Sequence, residues 1–164
     1  MKTSIFSKPT IILVDDHIIF RQGLKSLITA ENLGTVIGEA SDGNEFIHIL
    51  THPAPNLVIM DIDMPNMNGM EAAKKALELF PNLKIIVFTM FGDDEYLQKM
   101  ISLGVKGFIL KSNGITEIEK SIHDVINGKT YFSKSLSSQS VNKMINRKHL
   151  VVNEESKKTP IPWW

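Results

Sequence analysis

Five short apolar runs recur about every 25 residues along the first 110 positions, at Thr10–Val14, Thr35–Ala40, Leu57–Met60, Lys84–Thr89 and Gly107–Leu110. Several are continuously apolar rather than alternating, which is the pattern of parallel strands covered on both faces. The segments between them carry apolar residues at helical spacing. Phe20, Leu24, Leu27 and Ile28 form one stripe, and Ala72, Ala73, Ala76, Leu77 and Phe80 form another. Ile115, Ile118, Ile122, Val125 and Ile126 form a further one. Gly34, Gly104 and Asn127-Gly128 stop helices, as do Pro53 and Pro81. Strand and helix alternating in this way predict a five-stranded parallel α/β sheet with right-handed crossovers and helices on both faces.

In such a sheet the strand C-termini share one edge, and ligands bind in the crevice there. Asp15-Asp16 ends the first strand and Asp61 follows the third, immediately before the turn Ile62-Asp63-Met64-Pro65-Asn66-Met67-Asn68-Gly69. Three acids at one edge suit Mg²⁺, which takes oxygen ligands from one or two carboxylates, water and phosphate. The backbone carbonyl of Asp63 is a further candidate oxygen. Asp16 also suits a helix N-cap before His17–Phe20, but a cap accounts for one acid and leaves the others. Thr89 ends the fourth strand, where a hydroxyl can donate to a phosphoryl oxygen. Lys111 ends the fifth, where an ammonium can pair with an anion. Thr is favoured in strands anyway and a strand-end Lys is commonly solvated, so the weight lies on the set of acid, acid, hydroxyl and amine at four of the strand ends.

That set resembles the receiver domain of bacterial two-component response regulators. The resemblance covers residue 8 to about 128 and is carried by Val14-Asp15-Asp16-His17, Met60 to Gly69, Ile86-Val87-Phe88-Thr89 and Gly104 to Lys111. It implies a flavodoxin-like sheet of strand order 2-1-3-4-5 and a phosphoacceptor role for Asp61, with a histidine kinase as donor. It also implies Mg²⁺ held by Asp15, Asp16, Asp61 and the Asp63 carbonyl, with Thr89 and Lys111 touching the phosphoryl oxygens. Phe108 matches an aromatic switch position whose rotamer follows Thr89. Self-phosphorylation and self-dephosphorylation belong to such a regulatory domain, which is not an enzyme with a turnover substrate. Ser112 stands where many receivers have proline. Together with Gly128-Lys129-Thr130-Tyr131-Phe132-Ser133, it is similar to the NarL/LuxR-type branch, which implies a transcription-regulating output and a homodimer on phosphorylation. Asp63 stands where neutral residues are also common, and Phe91, two after Thr89, is a candidate shield for the phosphoryl group.

The chain has 164 residues and no cysteine, which excludes disulfides and thiolate metal sites. Its apolar runs fall far short of the ~20 residues that span a bilayer, so a cytoplasmic protein without membrane contact is expected. Residues 1–127 carry 11 Lys and Arg against 16 Asp and Glu, whereas 128–164 carry 7 against 2. The basic residues of the second part are dispersed and lack interleaved aromatics, which reads as a solvated linker rather than a nucleic-acid surface. Residues 8–128 are thus expected as the receiver. Residues 129–164 are expected as a short helix over Leu136–Ile145 and a linker toward an absent output domain, so DNA would be met only through that missing part.

Two further residue sets have competing readings. His17 is adjacent to Asp16 and reads as a metal ligand or as a surface or cap-turn residue at the start of a helix, the latter preferred. Met60, Met64, Met67 and Met70 have hard oxygens for neighbours, so packing is expected of them rather than a soft metal site. Three other functions compete with the phosphorylated switch. A receiver can act as a protein-interaction module without DNA output. Asp61-Ile62-Asp63 superficially matches the Asp-x-Asp of haloacid-dehalogenase-like phosphatases, which leaves Asp15-Asp16 unexplained. A flavodoxin-like cofactor site would need a Gly-rich or Ser/Thr-rich phosphate cradle, which the first loop lacks.

Overall fold

The computed structural model describes residues 7–133, except Phe91 and Gly114, together with Leu136. The proposed helix over Leu136–Ile145, the linker beyond it and the Phe91 shield therefore lie outside the described residues. Within them the chain runs β1 (Thr10–Val14), α1 (Ile18–Ala30), β2 (Thr35–Ala40), α2 (Gly43–Ile49), β3 (Leu57–Met60), α3 (Gly69–Leu79), β4 (Lys84–Thr89), α4 (Asp94–Leu103), β5 (Gly107–Leu110), α5 (Ile118–Ile126) and β6 (Tyr131–Phe132). All pairings are parallel and the order is β2-β1-β3-β4-β5-β6. The order reverses between β1 and β3, and that switch point opens the crevice in which an open α/β sheet binds its ligand.

Side-chain alternation along each strand divides the core in two. Ile12, Val14, Val58, Met60, Ile85, Val87 and Phe108 face α2, α3 and α4, where Phe46, Ala72, Ala73, Leu97 and Met100 meet them. Ile11, Leu13, Leu57, Ile59, Ile86, Phe88 and Ile109 face α1 and α5, against Leu24, Ile28, Ile118, Ile122 and Val125. Each buried Val, Leu, Ile, Met or Phe contributes roughly 1.5–3 kcal/mol relative to exposure, so the four central strands, apolar on both faces, anchor the fold. Edge strand β2 alternates between exposed and half-buried residues, as its one open side requires. Met60, Met64 and Met67 are core residues, in keeping with packing rather than metal binding.

The sheet differs from the five strands expected. Beyond the Gly128 stop (φ 84°), Tyr131–Phe132 adds a sixth strand beside Gly107 and Phe108. Ser133 continues the attachment: its N–H donates to the Phe108 carbonyl at 2.9 Å and its hydroxyl oxygen accepts from Leu110 N–H at 2.9 Å. The same hydroxyl donates to Glu117 Oε2 at 2.6 Å. Burial, and then the nearby Glu117 carboxylate, push the Tyr131 phenol above its ordinary value of 10.0. A two-residue strand carries too little periodicity to be read from sequence, so Tyr131-Phe132 escaped the pattern.

Candidate functional site

β1 and β3 end side by side, Val14 opposite Met60, and deliver Asp15 and Asp61 to the same point. Both are buried, 7% and 3% exposed, and two buried carboxylates need a counter-charge. Lys111, at the end of β5, provides it. Its Nζ lies 2.6 Å from Asp15 Oδ2 and 3.0 Å from Asp61 Oδ2, with no side-chain exposure. The other Asp61 oxygen, Oδ1, accepts from the backbone N–H of Ile62 at 2.7 Å and of Asp63 at 3.4 Å. Thr89 is fully buried at the end of β4. Phe108 is also fully buried, opposite Val87 and one side-chain repeat below Thr89 on the α4 face. The structure thus gathers Asp15, Asp61 and Lys111 in direct contact, brings Thr89 to the same edge, and seats Phe108 beneath it. Asp63 contributes a backbone amide, and its side chain points to solvent.

Asp16 is not the helix cap. Helix α1 begins at Ile18 with His17 as the N-cap residue, and no side chain bonds its first amides. Instead Asp16 Oδ1 is a buried oxygen without a hydrogen-bond partner, beside Asp15 and Asp61. A charged acceptor left in that state fits a hard divalent cation, which would be ligated by Asp16, Asp61 and Asp15 oxygens. His17 is the exposed N-cap residue of α1, as its preferred reading has it, and its ring also lies beside the acids. Its ring Nδ1 lies 3.2 Å from Asp15 Oδ1, 3.4 Å from Asp16 Oδ1 and 3.9 Å from Asp61 Oδ2.

Helix α1 supplies two residues that the sequence pattern did not mark as functional. Phe20 was assigned to the apolar stripe, yet it is 39% exposed and covers the lysine, with Lys111 Nζ 4.6 Å from its ring centroid. Phe88 stands 5.8 Å from the same ammonium and meets Phe20 edge to face at 6.3 Å, so two π faces stabilise the buried cation. Arg21 donates from Nη1 to the Asp15 carbonyl at 2.6 Å and to Ser41 Oγ at 3.2 Å, and from Nε to Glu39 Oε1 at 3.2 Å. It fixes the backbone that presents Asp15. A cation one turn into the helix after an acidic pair was the available signal.

The loop after Asp61 is tied down on both sides. Gly69 N–H donates to the Ile62 carbonyl at 2.8 Å, and a Cβ on Gly69 would lie 2.1 Å from the Asp61 carbonyl oxygen. Only glycine admits that approach. Asn68 caps α3 by accepting from Glu71 N–H. Asn66, at φ 65°, donates to Asp42 Oδ2 at 2.8 Å. Asp42 in turn caps α2, and the Glu45 amide first, then Asn66, hold its carboxyl below the ordinary range. A groove of 730 Å³ between α3 and α4 is lined by Glu71 and Glu95 but by none of Asp15, Asp16 and Asp61, so the aspartate chemistry lies in the narrow crevice at the sheet edge.

A doubly wound parallel sheet with this order, its switch-point crevice lined by carboxylates around a buried lysine, defines a phosphorylation-controlled signalling domain. The chain belongs to the response regulator receiver family, whose model, the response regulator receiver domain, matches residues 11–123. It is 34% identical to the oxygen regulatory protein NreC of Staphylococcus haemolyticus over 85% of this chain, and spans 64% of that protein's length. Among solved structures it is similar to a LuxR-family two-component response regulator from Aurantimonas (TM-score 0.74, 26% identity, 87% of this chain and 99% of that one). It is also similar to the isolated receiver domain of RcsB from Salmonella enterica serovar Typhimurium, determined with the phosphomimetic BeF₃⁻ (TM-score 0.73, 26% identity, 84% and 99%). The protein is therefore a receiver of the NarL/LuxR-type response regulators. Among the described residues no helix is long and apolar enough to cross a membrane.

Proposed function

We propose that Asp61 is the phosphoacceptor, receiving its phosphoryl group from the phosphohistidine of a histidine kinase. The observation that carries this reading is the restraint of Asp61. One oxygen is fixed by the Ile62 amide and the other by Lys111, and the side chain is buried. A carboxylate so held is positioned rather than merely buried, and phosphoryl transfer depends on positioning and charge neutralisation. An Asp61 oxygen attacks phosphorus as the phosphorus–nitrogen bond of the donor breaks, and the departing imidazole keeps that electron pair. Asp15, Asp16, Asp61 and the Asp63 carbonyl would hold Mg²⁺, which would supply neutralisation of the charge on the phosphoryl oxygens. Lys111 moves from carboxylate partner to phosphoryl partner, and the Thr89 hydroxyl donates to a second oxygen. Drawing Thr89 inward leaves room beneath α4 into which Phe108 turns, biasing the domain between two arrangements.

Incubation with Mg²⁺ and acetyl phosphate, read by intact mass, tests the assignment. The wild type gains one phosphate and Asp61→Asn gains none; an unphosphorylated wild type, or an adduct retained in Asp61→Asn, removes the assignment. The output belongs to the same proposal. RcsB, a relative, is described as dimers bound to DNA, and this chain spans 64% of the Staphylococcus haemolyticus NreC. A cytoplasmic switch that dimerises on phosphorylation and reaches DNA through a domain beyond this chain is the reading these relatives support. Sedimentation with and without BeF₃⁻ checks the dimer.

A further inference from the structure

His17 is at the mouth of the crevice, 56% exposed at its side chain, and its imidazole is not used to cap α1. Two neighbours hold it over the acids. Its backbone N–H donates to Asp15 Oδ1 at 2.9 Å, and its ring meets Phe20 edge to face at 6.2 Å and 72°. Atoms bound to one ion at about 2.1 Å are about 3.0 Å apart at a right angle and about 3.4 Å apart at the tetrahedral angle. Nδ1 stands 3.2 and 3.4 Å from the Asp15 and Asp16 oxygens, inside that interval, and 3.9 Å from Asp61, just beyond it. The ring nitrogen and Asp16 Oδ1, which accepts no hydrogen bond, therefore converge on one point.

We infer that His17 contributes its Nδ1 as a ligand to the divalent ion of this site, making the receiver selective for borderline ions that accept nitrogen. The inference rests on the proposed cation site and adds a ligand of a different kind to it. Mg²⁺ favours oxygen and gains little from imidazole, whereas Co²⁺, Ni²⁺ and Cu²⁺ gain much, in the order in which N-donor affinity rises across the row. Ligation uses the neutral ring with its proton on Nε2, in place of the hydrogen bond that Nδ1 shares with Asp15 Oδ1 at 3.2 Å. The chain would then report not only a phosphoryl donor but which divalent ion is at hand.

Calorimetric titration of the untagged chain with Mg²⁺ and separately with Ni²⁺ tests this, in wild type and His17→Gln. Ni²⁺ affinity should fall about tenfold or more in His17→Gln while Mg²⁺ affinity stays within about twofold. His48, His52, His123 and His149 are present in both proteins, so adventitious binding cancels in the comparison. Electron spin echo measurements on the Cu²⁺-loaded wild type should show a directly bound imidazole nitrogen, lost in His17→Gln. An unchanged Ni²⁺-to-Mg²⁺ ratio, or an imidazole signal that survives the substitution, overturns the inference. Its failure is separable from failure of the phosphoacceptor reading, because acetyl phosphate labelling of Asp61 with saturating Mg²⁺ is scored on the same samples.

Discussion

Asp63 shows how far one side chain can be separated from its backbone. Its amide faces Asp61 Oδ1 while its carboxylate points to solvent at the rim. A unit charge about 4 Å from a phosphoryl group in water is worth about 1 kcal/mol. Asp63→Asn should therefore change the phosphoryl lifetime about fivefold and leave labelling of Asp61 intact, as timed loss of the phosphate adduct will show. Equal lifetimes would place the charge outside the reaction. Gly69 tests the opposite case, a residue that matters through what it lacks. Gly69→Ala pushes a methyl group into the Asp61 carbonyl and the Ile62 backbone, and backbone cannot swing aside. We expect a loss of about 1–3 kcal/mol in urea unfolding together with a lower labelling yield; wild-type values for both would mean the loop relaxes freely. The acids, Thr89 and Lys111 were legible from sequence because each ends an apolar strand. Phe20 was not, because its cover over Lys111 depends on how the first turn of α1 leans over the crevice.

Between elements, the link from α1 to β2 is electrostatic. Glu39 on β2 accepts from Arg21 at 3.2 Å and from Lys25 at 3.0 Å. The Lys25 hydrogen bond first, and then the charges of Lys25 and Arg21 against an opposing effect of burial, hold Glu39 below its ordinary value of 4.5. A carboxylate lowered on folding stabilises the protein above its unfolded value, and the contribution is lost as pH falls through the lowered folded one. Thermal unfolding between pH 6 and pH 3 should thus be less pH-dependent in Glu39→Gln than in wild type, by about 1 kcal/mol or less for so accessible a group. Parallel pH profiles would assign the link no energetic role. The five longer strands were readable because buried parallel strands are apolar throughout. β6 was not, since its pairing is decided by contacts of Tyr131 and Ser133 with Lys106, Phe108 and Leu110 rather than by local pattern.

Taken whole, the molecule places its least comfortable charges where a ligand relieves them. An ion bound only by the folded state stabilises it by about 2.7 kcal/mol at one hundred times its dissociation constant, enough to raise Tm by several degrees. Mg²⁺ should do so in wild type and much less in Asp16→Asn, by calorimetric scan; identical shifts in both would mean the ion binds elsewhere. The sheet's other distinctive feature bears on solubility. An open parallel sheet exposes a row of amides and carbonyls at each side, a template on which a foreign strand can grow. On the β5 side that row is closed within a few residues. β6 is two residues long, and Leu110 then spends its N–H on the Ser133 hydroxyl, a side chain that offers no onward ladder. On the β2 side, Glu39 brings charge to the edge, where it is joined by Arg21 and Lys25. Ser133→Ala, by leaving the Leu110 amide without that partner, would loosen the hold of the last described strand on β5.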